Sequence, residues 1–143
     1  MGKYLLILIA ALIAACAPAD VRQEQAVRDF IAVGELEERY KIRTGKQDRL
    51  SAINDKFTIY QARRGVFLVE FRRRCHELTR SGVSFFDQHT GMLSSQVDVR
   101  RDHNNLRAGQ DTIRGCRIHQ IYALAEGQEQ ELKELAAALE DRN

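Results

Sequence analysis

The chain has 143 residues, of which 22 are Lys or Arg and 20 are Asp or Glu, for a formal net charge of +2. This near balance excludes the strongly basic surface that is typical of nucleic-acid-binding proteins, and the length favours one domain with a hydrophobic core over two. One proline, nine glycines and no low-complexity tract exclude disorder over most of the chain.

The N-terminal segment has the layout of a secretory signal. Lys3 precedes an uncharged apolar run that reaches Ala15, and Pro18 and Asp20 follow it. A helix over residues 4–17 would extend about 21 Å, which is shorter than the roughly 30 Å hydrocarbon core of a bilayer. We therefore predict an export signal and not a membrane span.

The stretch Ile13-Ala14-Ala15-Cys16 resembles the lipobox of bacterial lipoproteins. The resemblance implies cleavage before Cys16, a diacylglyceryl group on its thiol and acylation of the new amino terminus. One acyl chain holds a protein only marginally, so several chains are needed for stable attachment. Ala17 replaces the aspartate that signals inner-membrane retention in enteric bacteria, which favours the outer membrane. The alternatives are an ordinary cleaved signal with a chance cysteine, or an uncleaved apolar anchor.

These features predict the domain organisation of the chain. We expect a signal peptide over residues 1–15, a lipidated tether over residues 16–20 and a single domain over residues 21–143. Removal of Lys3 with the signal lowers the formal charge of +2 by one, so the mature chain is close to neutral.

Cys75 and Cys116 remain once Cys16 is assigned to lipid. An even pair of cysteines in an exported chain predicts one structural disulfide, because the compartment oxidises thiols. Such a bridge stabilises a small domain by roughly 4 kcal/mol in the chain-entropy treatment. The alternative is a reactive or metal-binding pair, which the absence of a Cys-x-x-Cys spacing disfavours.

The first half of the predicted domain reads as a helix followed by short strands. Apolar residues at helical spacing predict a helix over residues 21–32, with Asp20 and Gln23 as a capping pair and Gly34 as its end. A short strand is expected around residues 40–43. A three-stranded meander follows over residues 50–53, 57–61 and 66–71, with a tight left-handed turn at Asn54-Asp55 and a central last strand.

The second half is less periodic. We predict a helical turn over residues 75–80, short strands over 83–86 and 92–99, a long loop over 100–115, and a strand that contains Ile118 and Ile121. Leu132, Leu135, Ala136 and Leu139 form one apolar stripe, which predicts an amphipathic C-terminal helix packed on its own sheet.

The predicted fold class is α+β, with a small, mainly antiparallel β-sheet, an N-terminal and a C-terminal helix, and one disulfide. The expected core comprises Phe57, Ile59, Phe67, Val69, Phe71, Ile118 and Ile121.

Four segments carry a resemblance to an uncharacterised family of small proteobacterial lipoproteins. They are AVRDFIAVGELEERYKIRT, INDKFTIY, FLVEFRRRC and DTIRGCRIHQIYAL, the last of which precedes an acidic helix. The most specific part is the arginine-flanked Cys116, which the family pairs with the cysteine after FLVEF. Ala125 departs from the Ser or Thr that members tend to place before the last helix, so a less defined helix start is expected. The resemblance implies fold, disulfide and lipidation, but no activity.

Motifs of catalysis are missing from the sequence. It contains no nucleophile elbow, phosphate loop, dinucleotide glycine pattern or paired metal motif. His76, His89, His103 and His119 are irregularly spaced, which indicates chance scatter and not a zinc site. We therefore predict no catalytic residue, no metal and no cofactor.

Closing the predicted disulfide brings arginines together from both sides of the bridge. They are Arg72, Arg73, Arg74, Arg114 and Arg117, a candidate site for phosphate or carboxylate groups. The favoured interpretation is a solvated face whose charges are neutralised internally by nearby acids, namely Glu70, Glu77, Asp98, Asp102 and Asp111.

The sequence thus predicts an envelope lipoprotein in the outer membrane, facing the periplasm, with a non-catalytic binding or structural role. Its expected partners are the membrane, through the lipid anchor, and an anionic envelope ligand or an envelope protein, but no nucleic acid. The alternative is an envelope enzyme that uses Asp98, His103 or Asp111 on the 98–115 loop as acid or base.

Overall fold

A computed structural model of the protein describes residues 18–45, 48–79, 105–113 and 115–140. In chain order the elements are α1 (Ala19–Val33), β1 (Lys41–Arg43), β2 (Arg49–Ala52), β3 (Phe57–Ala62), β4 (Gly65–Phe71), α2 (His76–Thr79), β5 (Asn105–Arg107), β6 (Thr112–Ile113), β7 (Cys116–Leu124) and α3 (Gln128–Glu140). The predicted α+β class, with a mainly antiparallel sheet between an N-terminal and a C-terminal helix, is confirmed.

The main sheet has five antiparallel strands in the order β2-β3-β4-β7-β6. The middle position of β4 agrees with its sequence, because a strand covered on both faces is apolar at nearly every position. β4 pairs with β3 from Phe57↔Glu70 to Ala62↔Gly65. On its other side β4 pairs with β7, with an irregularity between Glu70 and Phe71.

Strand alternation divides the core into two clusters, one on each face of the sheet. Helices α1 and α3 cover one face, where their side chains Val27, Leu132 and Ala136 meet strand residues that include Phe57, Ile59 and Leu68. The other face carries Tyr60, Val69, Phe71, Ile118 and Ile121, and it is covered by β1, β5 and α2. All of the predicted core residues are buried except Phe67, which is half-buried against the second cluster.

Helix α1 begins differently from the prediction. Pro18 is its N-cap and makes no side-chain capping bond, while Asp20 lies inside the first turn. Gln23 is buried, and its Nε2 donates to the carbonyl of Ala136 in α3 at 3.4 Å. The predicted capping pair is therefore wrong, because Gln23 faces the neighbouring helix. Gly34 ends the helix as expected.

The connection between β2 and β3 is closed by a side chain. Asn54 Oδ1 accepts the backbone N–H groups of Lys56 at 2.8 Å and Phe57 at 2.9 Å. The expected left-handed turn is wrong, since Glu35 is the one non-glycine residue with a positive φ in the described ranges. An asparagine side chain can replace the backbone geometry of a tight turn.

The loop predicted over residues 100–115 is wrong in part. β5 pairs with β1 through Ile42↔Leu106, and β6 pairs with the start of β7. Leu106 and Ile113 are fully buried. Strands of two or three residues show no period of their own, so only their distant partners reveal them. The strands predicted over 83–86 and 92–99 lie outside the described residues.

The C-terminal helix packs on the sheet as predicted. Leu132 and Ala136 are buried and Leu135 is half-buried against them. Ala125 N–H donates to Gln128 Oε1 at 2.7 Å, so a glutamine side chain in the first turn closes the helix start that lacks a Ser or Thr cap. Within the described ranges, no helix is long and apolar enough to cross a bilayer.

Candidate functional site

The predicted disulfide is present between Cys75 and Cys116, whose Cα atoms lie 5.8 Å apart. Cys75 follows β4 and is buried, while Cys116 begins β7. Beside the bridge, Arg72 N–H donates to the carbonyl of Arg117 at 2.8 Å. The bridge therefore ties together the ends of the two strands that form the middle of the sheet.

The arginines around this bridge differ in their surroundings. Arg72, Arg73 and Arg117 are exposed and take part in no salt bridge among the described residues. Arg74 lies 3.0 Å from the Asp55 carboxylate and 3.2 Å from Glu24. Arg114 lies outside the described residues. The structure thus brings Arg72, Arg74 and Arg117 to the same end of the sheet, and binding of an anion there stays a prediction.

Two of the acids expected to neutralise these arginines have other partners. Glu70 points to the helix-covered face, because it alternates with Phe71 along β4, and its partner is Arg28 of α1. The Asp111 carboxylate accepts the backbone N–H of Arg107. Asp98 and Asp102 lie outside the described residues. Internal neutralisation by Glu70 is therefore wrong, and Asp55 and Glu24 neutralise Arg74 in its place.

Glu70 is the centre of a buried polar network. Glu70 is only 3% exposed, and its Oε1 lies 3.0 Å from Arg28 Nη2. The same Arg28 nitrogen lies 3.0 Å from Glu24 Oε1, and the guanidinium is 5.5 Å from the centroid of the Phe57 ring. Tyr122 donates its hydroxyl to Glu70 Oε2 at 3.4 Å. A carboxylate can be buried only with such partners, because desolvation of an unpaired charge is costly.

The surroundings of Tyr122 and Arg28 raise the pKa of both groups. Burial first, and then the charge of Glu70, raises the pKa of Tyr122 from 10.0 to about 12. Burial disfavours the charge of Arg28, but its hydrogen bonds and ion pairs with Glu24 and Glu70 outweigh this effect and raise its pKa. Tyr122 is therefore a hydrogen-bond donor and Arg28 a permanent cation.

The network reaches the disulfide through further ion pairs. Glu24 contacts both Arg28 and Arg74, and Arg74 in turn contacts Asp55. Asp55 Oδ2 also lies 3.4 Å from His76 Nδ1, next to Cys75. These ion pairs connect α1 to the end of the sheet that carries the disulfide.

Sequence reasoning missed the role of Glu70, although a signal was present. Glu70 is the one charge in an otherwise apolar central strand, and such a charge requires a buried partner of opposite sign. Arg28 is preceded by Val27 and followed by Phe30 and Ile31 on the helix, so it stands beside the apolar stripe. The two signals indicate that each group requires a buried partner, although they do not specify which one.

Of the three residues predicted as acid or base in the enzyme alternative, the structure describes Asp111. Asp111 is buried, and its Oδ2 accepts the backbone N–H of Arg107 at 2.7 Å. Its own N–H donates to the Arg107 carbonyl at 3.2 Å. Asp111 therefore closes the connection between β5 and β6. Asp98 and His103 lie outside the described residues.

No set of three His, Cys, Asp or Glu residues in the described ranges is arranged to hold a metal ion.

Comparisons with known proteins identify a family but no characterised relative. No curated protein matches the chain, and no solved structure matches it. A family model described as a family of unknown function, DUF6491, matches residues 1–141. This agrees with the predicted membership of an uncharacterised family. Because the match spans nearly the whole sequence, the chain belongs to DUF6491, a family of unknown function.

Proposed function

We propose that the protein is a proteobacterial lipoprotein, anchored through Cys16 to the outer membrane and facing the periplasm, with a non-catalytic binding or structural role. The observation that carries the proposal is the coincidence of an apolar run, two small residues and Cys16 at one distance from Met1. Each of these features is common alone, but lipid attachment requires them together at this spacing.

The disulfide supports the export part of the proposal. Structural disulfides persist in oxidising compartments such as the periplasm and are rare in the cytosol. Cys75 and Cys116 are joined between the central strands, and Cys75 is buried, which is typical of a structural and not a catalytic bridge. An exported chain is a requirement for lipidation at Cys16.

The position of the first helix gives the proposed anchor a geometric consequence. α1 begins at Ala19, so only Ala17 and Pro18 separate it from Cys16. Three virtual bonds of extended chain reach about 10 Å. A lipidated Cys16 would therefore keep the start of α1 close to the bilayer surface, with the sheet directly behind it.

The buried polar groups support a non-catalytic role. Glu70 pairs with Arg28, and the carboxylate of Asp111 accepts a backbone N–H group. Catalytic acids and bases are typically in a cleft where a substrate can reach them. Both carboxylates are instead used to hold elements of the fold together.

Metabolic labelling with palmitate tests the anchor. The wild-type protein should incorporate label and yield a mature amino terminus at Cys16, whereas Cys16→Ser should incorporate none. The double variant Cys75→Ser/Cys116→Ser is the matched control, because it removes the other two thiols and should keep the label. Label that persists in Cys16→Ser, or is missing from the wild type, would exclude lipidation at Cys16.

A further inference from the structure

A small cavity lies at the end of the sheet opposite the disulfide. It has a volume of about 290 Å³ and is lined by Arg43, Thr44, Gly45, Arg63 and Arg64. The pairing Ala62↔Gly65 makes Arg63 and Arg64 the turn between β3 and β4. Pairing of β2 with β3 starts at Arg49↔Gln61, which places the start of β2 near this turn. Arg43, the last residue of β1, lines the same cavity, although it lies twenty residues before Arg63 in the sequence.

The cavity concentrates positive charge. Among the described residues, the lining includes three arginines and no acid. Arg43, Arg63 and Arg64 are all exposed, and in the described part of the chain none takes part in a salt bridge. Guanidinium groups held near one another repel, and an anion between them relieves the repulsion while accepting paired N–H donors.

One wall of the cavity is attached to the core. Asp48 is 3% exposed, and its Oδ2 accepts the hydroxyl of the fully buried Tyr60 at 2.6 Å. The same oxygen accepts the backbone N–H of Gly45 at 2.6 Å. A Cβ atom on Gly45 would lie 3.2 Å from Asp48 Oδ1, a tight contact. Tyr60 and Asp48 thus hold the Thr44-Gly45 backbone in place, so this wall exists before any ligand arrives.

From this arrangement we infer that the cavity, which we call the turn pocket, binds a phosphate-bearing anion through Arg43, Arg63 and Arg64. The planar fork of arginine matches two phosphate oxygens, and several forks match a phosphate monoester or diphosphate better than a single carboxylate. The volume suits a phosphate or diphosphate group. The inference does not depend on membrane attachment.

Titration of the full-length protein in detergent with pyrophosphate tests the turn pocket. The double variant Arg63→Gln/Arg64→Gln should weaken binding by about tenfold or more, because each charge-assisted hydrogen bond contributes about 1.5–3 kcal/mol. Arg39→Gln/Lys56→Gln is the matched control, since it removes the same charge from outside the pocket and should leave the affinity unchanged. Arg39 pairs with Glu37, and Lys56 donates to the Arg72 carbonyl. Equal losses in both doubles would mean that binding follows net charge, and would overturn the inference.

Two further measurements separate the role of geometry from that of charge and distinguish the sources of phosphate. Arg63→Lys/Arg64→Lys keeps the charge but lacks the fork, so it should bind pyrophosphate more weakly than the wild type.

Vesicles of phosphatidylcholine with phosphatidic acid provide a lipid phosphate. Vesicle binding that pyrophosphate displaces indicates a head-group ligand, and pyrophosphate binding without vesicle binding indicates a soluble one. Binding of neither probe would exclude the site.

Discussion

The two ends of β4 each carry arginines, and their environments are opposite. At the disulfide end, the triplet Arg72–Arg74 is the most basic run of the sequence, yet Arg74 is neutralised by Asp55 and Glu24. At the turn end, Arg63 and Arg64 are a shorter run, but Arg43 joins them around a cavity whose described lining contains no acid. The comparison shows that the length of a basic run in sequence does not reveal which of its charges are paired in the fold.

Removal of the disulfide should have the largest effect on the free energy of unfolding. It should leave the turn pocket at the other end of β4 unchanged. We expect Cys75→Ser/Cys116→Ser to lower the free energy of unfolding by about 2–5 kcal/mol, because the unfolded chain gains freedom. Denaturant unfolding measures this loss. Pyrophosphate affinity under native conditions should persist, since the turn pocket is attached to the core through Tyr60 and not through the bridge. Unchanged stability would contradict the structural role of the bridge.

Two tyrosine hydroxyls, one bonded to Asp48 beside the turn pocket and one to Glu70, provide a matched pair. Tyr60→Phe should lower the free energy of unfolding by about 1–3 kcal/mol, because the buried Asp48 carboxylate loses its donor. Tyr122→Phe should have a smaller effect, since its bond to Glu70 is long at 3.4 Å and Arg28 remains. Only Tyr60→Phe should also weaken pyrophosphate binding. Equal losses of stability in the two variants would remove the distinction.

Substitution of single arginines tests neutralisation directly. Arg74→Met should lower the free energy of unfolding by about 0.5–1 kcal/mol, because its ion pairs with Asp55 and Glu24 are only partly exposed to solvent. Arg64→Met should leave stability unchanged or raise it slightly, since a repulsive charge is lost. Chemical denaturation of both variants at low salt measures the difference. A larger loss in Arg64→Met would show that the turn arginines have a stabilising partner.

Alkaline pH should weaken the fold through the same tyrosines. The pKa of Tyr122 is raised to about 12 in the folded protein, and burial together with Asp48 also raises the pKa of Tyr60. Their protonated forms therefore contribute stability that is present below about pH 10, the ordinary tyrosine pKa. That contribution is lost as the pH rises from there toward 12. Unfolding of the wild type and Tyr122→Phe across this range should show a shallower decline in the variant, and parallel curves would contradict the assignment.

Local patterns in the sequence predicted much of the fold. The apolar run of β4, the stripe of α3 and the even cysteine pair each depend on residues close in the chain or on the compartment. All three are confirmed in the structure. Alternation along β3 and β4 was also sufficient to place most of the core, because burial of apolar side chains determines which face points inward.

Tertiary structure alone decided the partners of the polar groups and the position of the turn pocket. Glu70 meets Arg28 across 42 residues, and Arg43 of β1 lines the same cavity as Arg63 of the β3–β4 turn. β1 and β5 are too short to show a period, and each depends on the other. A buried charge or a short strand is stabilised by contacts that exist only in the folded chain. Residue patterns therefore identify such groups as requiring a partner but do not specify which one.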